Sequence, residues 1–398
     1  MKKRECVLFI AGGEWQVPLV KFLKKKGFHI TLVDPYEDSP CVALADEFIQ
    51  LDVKSIDLIY EKIKDKDLDY VLSDQTDVAV NSVAVLSNKL ELPGNSVFST
   101  QLFSNKSKSR TFVQSFAREI SPGFKVITSV KELSSFVEEF KDVIIKPTDA
   151  QSSRGINRIE NKEHLEFYFN EAKNASPTHS VIVEEFLIGE EITVEGICLD
   201  SKHKTLTTSS KKHIKTGIAS DLIFPSNIKT ELLKKIYDFN DAYVDKSGLS
   251  SGITHAEYIV DQDNNKFWLV EIACRGGGTL IPSDIVPWVT GIDLYEHLFD
   301  AISGENKLNI GDISSKSAIL HFFNFKNGLI KQIHGLEEIE KIPEVLTCRL
   351  SFSAGDEIFD VNDDRGRHGF VIILSENEQG IKNTLEEVYN KIAITYEV

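Results

Sequence analysis

Apolar residues come in strand-length and helix-length blocks over the first hundred positions. CVLFIAGG (6 to 13) is a continuous apolar run ending in glycines, 15 to 26 has helical spacing, and FHITLVD (28 to 34) is a second buried run. That order predicts a βαβ opening with parallel pairing. YVLSD (70 to 74) continues the sheet, 78 to 90 returns as a helix, and LPG at 92 to 94 breaks the chain. A Rossmann-like unit over 1–103 is expected.

The polar stretch SNKSKSR (104 to 110) reads as a boundary, and a different rhythm follows it. KVIT, a helix over about 130 to 140, DVIIKP (142 to 147), the loop TDAQSSRG, a helix near 161 to 173 and SVIVEEFL (180 to 187) make one α+β unit. Strands EITVEGICLD (191 to 200) and KTLTTSS (204 to 210), a helix over about 229 to 247, and the pair HAEYIV and KFWLVEI make a second, with 292 to 303 helical. From 311 onward AILHFFNF, TCRLSFS, HGFVIIL and a helix near 377 to 392 predict a small β-rich closing domain over 311–398. The chain is thus a mixed α/β and α+β multidomain protein with no internal repeat.

Composition narrows the function. At 398 residues, 41% apolar and 27% charged, this is globular material for two or three domains. A net charge of -16 argues against general binding to nucleic acid or anionic membrane, both of which present phosphate. Five scattered cysteines without a CxxC spacing favour reduced thiols and a cytoplasmic location over disulfides or zinc. Lys2, Lys3 and Arg4 precede an apolar stretch too short for a signal peptide, so a first strand is expected there. No apolar run approaches the roughly 20 residues of a membrane span.

KFWLVEIACRGGG (266 to 278) carries the first candidate chemistry, because Glu271 sits in an otherwise apolar strand. DQDNN separates this strand from HAEYIV and reads as a hairpin loop. A loop of three or five residues centred on Asn264 places Glu257 opposite Glu271; an even loop puts them on opposite faces. Facing carboxylates repel, and a divalent cation with oxygen ligands resolves the conflict. The plain alternative is a solvated hairpin whose glutamates touch nothing.

Lys146 ends an apolar strand beside a loop closing on Arg154 and Gly155, a placement suited to polyphosphate oxygens and equally to an ordinary surface lysine. In SVIVEEFLIGEEITVEG a strand ends at Glu184 and Glu185. A short connection runs from Leu187 to Gly189, and a second strand opens with Glu191. Such a hinge offers backbone groups to an adenine edge, and a carboxylate seven residues on can accept ribose hydroxyls. Acidic residues at a turn are otherwise simply solvated.

Taken in order, Lys106, IIKP with Lys146, VEEFLIGEE with Glu184, Leu187 and Glu191, HAEY with Glu257, and VEIACRGGG with Glu271 and Arg275 resemble the ATP-grasp superfamily over essentially the whole chain. The similarity is greatest to its carboxylate-amine ligases of the L-amino-acid ligase type. The resemblance implies a Rossmann-like N-terminal domain, a two-lobed ATP-grasp core over 104–310 and the β-rich C-terminal domain. It implies ATP and Mg²⁺ as cofactors and an amide formed from a small-molecule carboxylate and amine through an acyl phosphate, with a homodimer left open. Residue by residue it puts Lys106, Lys146 and Arg154 on phosphates. Glu184, Glu185 and the Leu187 backbone fall on adenine, Glu191 on ribose, Glu257 and Glu271 on magnesium, and Arg275 on the acyl phosphate. Lys211, Lys212 and His213 fall where relatives place a further phosphate contact; Lys212 is the residue selected. Two departures stand out: Ala273 replaces the asparagine of E-x-N-x-R, and the lid loop holds one glycine.

Other readings remain beside this one. A bicarbonate-using carboxylase, a purine-pathway or carbamoyl-phosphate type enzyme and a non-catalytic ATP binder share the fold. AGGEWQ with Asp34 invites a dinucleotide site, although the spaced third glycine is missing. His255 shares a strand face with Glu257, where a structural hydrogen bond competes with a catalytic role. Trp15 and Trp288 invite an acceptor pocket or plain core packing. Arg365, Arg367 and His368 invite an anionic substrate or loop solvation.

Overall fold

The computed structural model describes residues 5–150, 154–215, 217–302, 310–311 and 313–397. Its first sheet has four parallel strands in the order Glu47–Gln50, His29–Asp34, Cys6–Ile10, Tyr70–Leu72. Cys6–Ile10 lies inside because Val7 to Ile10 are all apolar and fully buried, as parallel sheets covered on both faces require. The expected βαβ opening therefore holds, with the short strand EFIQ at 47 to 50 added at the edge. Asp34 closes the glycine turn on itself. Its Oδ2 accepts from the Gly12 amide at 2.7 Å, and its Oδ1 accepts from the Tyr36 amide and the Ser39 hydroxyl at 2.9 and 2.6 Å. That carboxylate is spent inside the turn, which removes the ribose contact on which a dinucleotide site would depend.

SNKSKSR is not a loose linker, which corrects the sequence reading. Helix Val97–Ser104 ends there and helix Lys106–Gln114 begins, capped by the Asn105 side chain, which accepts from the Lys108 amide at 3.0 Å. The cap fixes Lys106 in the first helical turn.

A small antiparallel sheet follows, in the order Phe124–Ile127, Val181–Glu185, Val143–Pro147, Asn157–Arg158. Helices Val130–Phe140 and Leu165–Ala175 back it through Leu133, Phe136, Val137 and Phe169. Every third or fourth residue of these helices is apolar, which is what one buried stripe requires.

The largest sheet has eight antiparallel strands, in the order Lys266–Ala273, Gly252–Asp261, Glu190–Leu199, Lys202–Lys215, Ile218–Phe224, Ser317–Phe322, Gly369–Ser375, Val345–Leu350. Ile218–Phe224 pairs directly with Ser317–Phe322, so Ser317–Phe322, Gly369–Ser375 and Val345–Leu350 extend the central sheet, while Glu357–Ile358, Gly328–His334 and Ala393–Tyr396 form a separate three-stranded sheet. Alternation along EEITVEGICL splits its faces: Ile192, Val194 and Cys198 pack on helix Thr230–Ser247, leaving Glu191, Thr193 and Glu195 on the other side. The helix presents Leu232, Ile236, Phe239 and Tyr243 to that core, and Gly248 ends it in the left-handed conformation at φ 75°. A further core joins Val7, Phe9 and Leu32 of the first sheet to Phe224, Leu320 and Ile372 of the large one. Among the described residues no helix is long and apolar enough to cross a membrane, and all five cysteines are free thiols.

Candidate active site

The site begins with a register. The hairpin loop is Gln262 to Asn265, four residues between the paired Asp261 and Lys266. An even loop alone would send Glu257 and Glu271 to opposite faces. A β-bulge restores them: Tyr258 pairs with Leu269 and Glu257 with Glu271, leaving Val270 as the extra residue. The facing pair is therefore present, and the bulge rather than an odd loop is its cause. The carbonyl of the bulged Val270 accepts from Arg110 Nη2 at 2.8 Å.

Cross-strand pairing then lays out the polar face. Glu271, Glu257, Thr193 and Ser209 form one ladder across four strands; Ala273, His255, Glu195 and Thr207 form the next. Glu191 pairs with Lys211 on one side and with Ile259 on the other. Lys211 Nζ lies 2.9 Å from Glu257 Oε1 and 2.5 Å from Glu191 Oε1. Burial would lower the lysine's pKa, but the two carboxylates outweigh it and raise it; burial likewise fails to lift Glu257, which Lys211 and His255 hold well below the usual carboxylate range. Lys106 Nζ stands 3.2 Å from Glu271 Oε2. His255 Nδ1 is 2.8 Å from Glu195 Oε1 and its Nε2 is 3.8 Å from Glu257 Oε1. Burial alone would depress this imidazole, yet Glu195 and then Glu257 carry it up to about 9.

Arg275 follows the strand and is clamped from the first sheet's side. Its Nε and Nη2 donate to the two oxygens of Asp77 at 2.8 and 2.7 Å, and its Nη1 donates to the Gly276 carbonyl at 3.0 Å. Asp74 holds the next amide, Gly276 N, at 2.8 Å and accepts from Tyr295 Oη at 2.9 Å. Across the gap, Lys146 Nζ donates to Glu184 Oε2 at 2.8 Å, while Arg110 donates from Nε and Nη2 to the two oxygens of the same carboxylate at 2.7 and 3.2 Å. Burial pushes Glu184 up, Arg110 and Lys146 pull harder, and the group rests at about 2.

Most of these side chains line one cleft of about 1440 Å³. Lys106, Lys146, Glu184, Glu185, Leu187, Glu191, Glu257, Glu271 and Arg275 border it, as do Lys211, His213 and His255. Lys212 does not. It is exposed, while Lys211 and His213 carry the cleft side of the strand, so of the three it is Lys212, the residue selected from the sequence, that lies off the cleft. Arg154 is exposed and outside the lining, and residues 151–153 of the lid loop lie outside the described residues. The Glu184 side chain is committed to Arg110 and Lys146, and the Glu185 and Phe186 amides donate to the Gly123 and Asp142 carbonyls at 2.8 and 3.0 Å, which leaves the Leu187 backbone at the cleft edge. Trp15 and Arg367 line the cleft. Trp288 instead lies 3.2 Å from the Ser317 carbonyl through Nε1, and His368 is buried between Phe359 O and Phe325 N; both are structural. The Arg365 side chain is not among those described.

The donor set suits magnesium. Glu257 and Glu271 offer hard oxygens side by side, and among the described residues no cluster of three His, Cys, Asp or Glu side chains completes a cage. A cation that keeps waters and takes phosphate oxygens needs no more than that. Ala273, in the place of asparagine, is paired with His255, whose imidazole stands on the same face.

Two family models match this chain: an ATP-grasp domain over residues 139–283, and L-amino acid ligase C-terminal domain 2 over residues 321–397. The chain carries an ATP-grasp domain and has the ATP-grasp fold. Solved structures of this fold superpose over nearly its whole length. L-amino acid ligase from Bacillus licheniformis aligns over 100% of both chains at TM-score 0.82 and 18% identity. Phosphoribosylglycinamide synthetase from Anaerococcus prevotii covers 99% of this chain and 100% of its own at TM-score 0.76 and 22% identity. The biotin carboxylase domain of the Hydrogenobacter thermophilus 2-oxoglutarate carboxylase, solved with MgADP, ADP and bicarbonate, covers 98% of this chain and 90% of its own at TM-score 0.78 and 16% identity.

Within this ATP-grasp chain, sequence reasoning missed Arg110, Asp77, Asp74 and Glu195. Arg110 could have been found: helical spacing from Lys106 puts it one turn on, the same face of a helix that was read as a boundary. Asp77 and Asp74 belong to a different sheet, and no local pattern joins them to Arg275. The choice between Lys211 and Lys212 makes a sharp prediction. Lys211→Met is expected to raise the KM for ATP about tenfold, the worth of one charge-assisted hydrogen bond, while Lys212→Met leaves it unchanged in the same steady-state assay.

Proposed function

We propose that this ATP-grasp ligase joins a small-molecule carboxylate to an amine, transferring the γ-phosphoryl group of ATP to the carboxylate and passing the acyl group to the amine with release of ADP and phosphate. The observation that carries the reading is the facing Glu257 and Glu271 pair, lined by Lys106, Lys211, His255 and Arg275 in a cleft whose opposite wall holds Lys146 and the nucleotide hinge. Lys106 and Lys146 offset phosphate charge as the transferring group moves, and the hinge backbone at Leu187 with Glu191 positions the nucleoside. Glu257 and Glu271 would hold magnesium, which supplies charge neutralisation on the phosphate oxygens when bound. Arg275, aligned by Asp77, presents a planar fork to the acyl phosphate and to the oxyanion formed when the amine attacks. Positioning supplies most of the acceleration in such a site.

The match of residues 321–397 to the L-amino acid ligase C-terminal domain favours this reading over a bicarbonate-using carboxylase. Hydroxylamine provides the test, since it intercepts an acyl phosphate as a hydroxamate whatever the natural amine. Incubation with MgATP, hydroxylamine and a panel of amino acids and small acids is expected to give ADP and a hydroxamate in equal amounts. Phosphate release with bicarbonate alone, or no acid-dependent turnover with any member, would defeat the proposal.

A further inference from the structure

The turn between strand Tyr70–Leu72 and helix Asp77–Lys89 places two consecutive side chains, Asp74 and Gln75, on one distant partner. Consecutive side chains of an extended chain point opposite ways. Gln75, however, sits in the left-handed region at φ 54°, a conformation that a long side chain keeps only where its surroundings fix it. Both side chains thereby reach the run from Gly276 to Leu280 that follows Arg275. Asp74 Oδ1 accepts from the Gly276 amide at 2.8 Å, and Gln75 Oε1 accepts from the Leu280 amide at 3.2 Å. The run is thus held at both ends from another sheet's domain. Thr279 and Leu280 are themselves left-handed, at φ 58° and 64°, so three strained non-glycine residues meet at this seam.

Further bonds fix the two side chains in turn. Tyr295 of helix Leu294–Ile302 donates through Oη to Asp74 Oδ2 at 2.9 Å and accepts from Gln75 Nε2 at 3.2 Å. Gln75 Nε2 also donates to the Trp15 carbonyl, and Gln16 Nε2 to the Asp74 carbonyl, each at 2.8 Å. Gln16, Asp74, Gln75 and Tyr295 are all buried. A buried network with its partners in place holds one arrangement rather than several. A Cβ at Gly276 would stand 2.5 Å from Pro282 Cγ and 3.1 Å from Asp74 Oδ1, so the run is packed against the network as well as bonded to it.

Arg275 is tied to this network through Gly276, whose carbonyl accepts from Arg275 Nη1 at 3.0 Å while its amide is on Asp74. Asp77 grips the Nε and Nη2 edge, and the Gly276 carbonyl is the second fixed point that stops that pair from swinging as one unit. Burial raises the Asp74 carboxyl above its usual range, and the Gly276 amide, the Tyr295 hydroxyl and the Arg275 charge each offset part of the rise. Asp74 itself does not border the cleft. We infer that Asp74 is a positioning residue of the ligase: together with Gln75 it fixes the Gly276–Leu280 run, and through Gly276 it sets the direction in which Arg275 presents its guanidinium. The inference rests on the ligase reading for the step it serves, while the fixing itself needs no turnover.

Hydroxamate formation and hydrogen exchange in the full-length protein test it together. Asp74→Ala is expected to lower kcat for hydroxamate formation about 10²-fold, the scale of a misplacement of roughly 1 Å, with MgADP affinity unchanged by calorimetric titration. Asp74→Asn, which keeps an acceptor for the Gly276 amide, is expected to recover most of the loss. Because Asp74 acts through the guanidinium, Asp74→Ala in an Arg275→Lys background is expected to cost no more than about threefold. Hydrogen exchange over 274–281 is expected to quicken about tenfold in Asp74→Ala. Gln75→Met frees the other end of the run and is expected to quicken exchange and lower kcat in the same way, should Asp74→Ala not fold. Parental kcat in these variants, a loss as large with Arg275→Lys as without it, or exchange at the parent's rate overturns the positioning role. A parent that makes no hydroxamate, yet shows the slow 274–281 segment and its release in Asp74→Ala, keeps the fixing of the run and defeats the ligase reading alone.

Discussion

Glu271→Gln is expected to lower kcat about 10³-fold, the scale of losing one charged stabiliser of a phosphoryl-transfer transition state, with the fold intact. The structure explains why the two effects separate. Glu271 lies on the outermost strand of the large sheet, its side chain is 41% exposed, and its ion-pair partner is Lys106 at 3.2 Å. Removing its charge leaves Lys106 close to the Ala150 carbonyl, so no bare buried cation results. Glu257→Gln is a harsher change, because Lys211 and His255 both lean on that carboxylate. Rapid-quench measurement of acid-dependent ADP formation, with circular dichroism as the control for folding, checks the expectation. Activity within tenfold of the parent would mean that Glu271 does not serve the phosphates.

How much of this was legible in the sequence depends on the distance over which each feature is encoded. Cys6–Ile10, the hinge after Glu185 and the strand ending at Lys146 are set by local apolar runs and were read in place. Ile218–Phe224 and Gly328–His334 escaped because their polarity does not alternate cleanly, and pairing with neighbouring strands rather than propensity makes them strands. The facing glutamates show the same division. Their identity was plain, but their register depends on a bulge at Val270 that only Arg110, Glu184 and the neighbouring strands specify. The split between Lys211 and Lys212 is of this kind too, since one residue of phase in a strand decides which side chain meets the cleft. Asp77 and Arg275 are 198 positions apart, and nothing near either one announces the other.

The expected result for Arg110 is the largest loss of stability of any single change in the cleft. Arg110 is 1% exposed and meets Glu184, itself 1% exposed, through two hydrogen bonds, while a third reaches the Val270 carbonyl of the bulge. It therefore ties helix Lys106–Gln114 to both sheets at once, and it neutralises a carboxylate that Lys146 alone would have to serve. Breaking a buried pair from one side costs about 3–5 kcal/mol, because the remaining charge is left uncompensated, whereas removing both members of such a pair is far milder. Arg110→Met is thus expected to lower the unfolding free energy by about that amount, and Arg110→Met with Glu184→Gln, which leaves Lys146 as the one buried charge of the cluster, to recover part of it. The sign with pH follows from the depressed carboxyl. Glu184 contributes stability in full above the ordinary glutamate value of about 4.3, and the contribution fades as pH falls toward its folded value of about 2. The parent should therefore lose stability over that window more steeply than the double variant, and identical acid profiles would show that the ion triad does not hold the two sheets together.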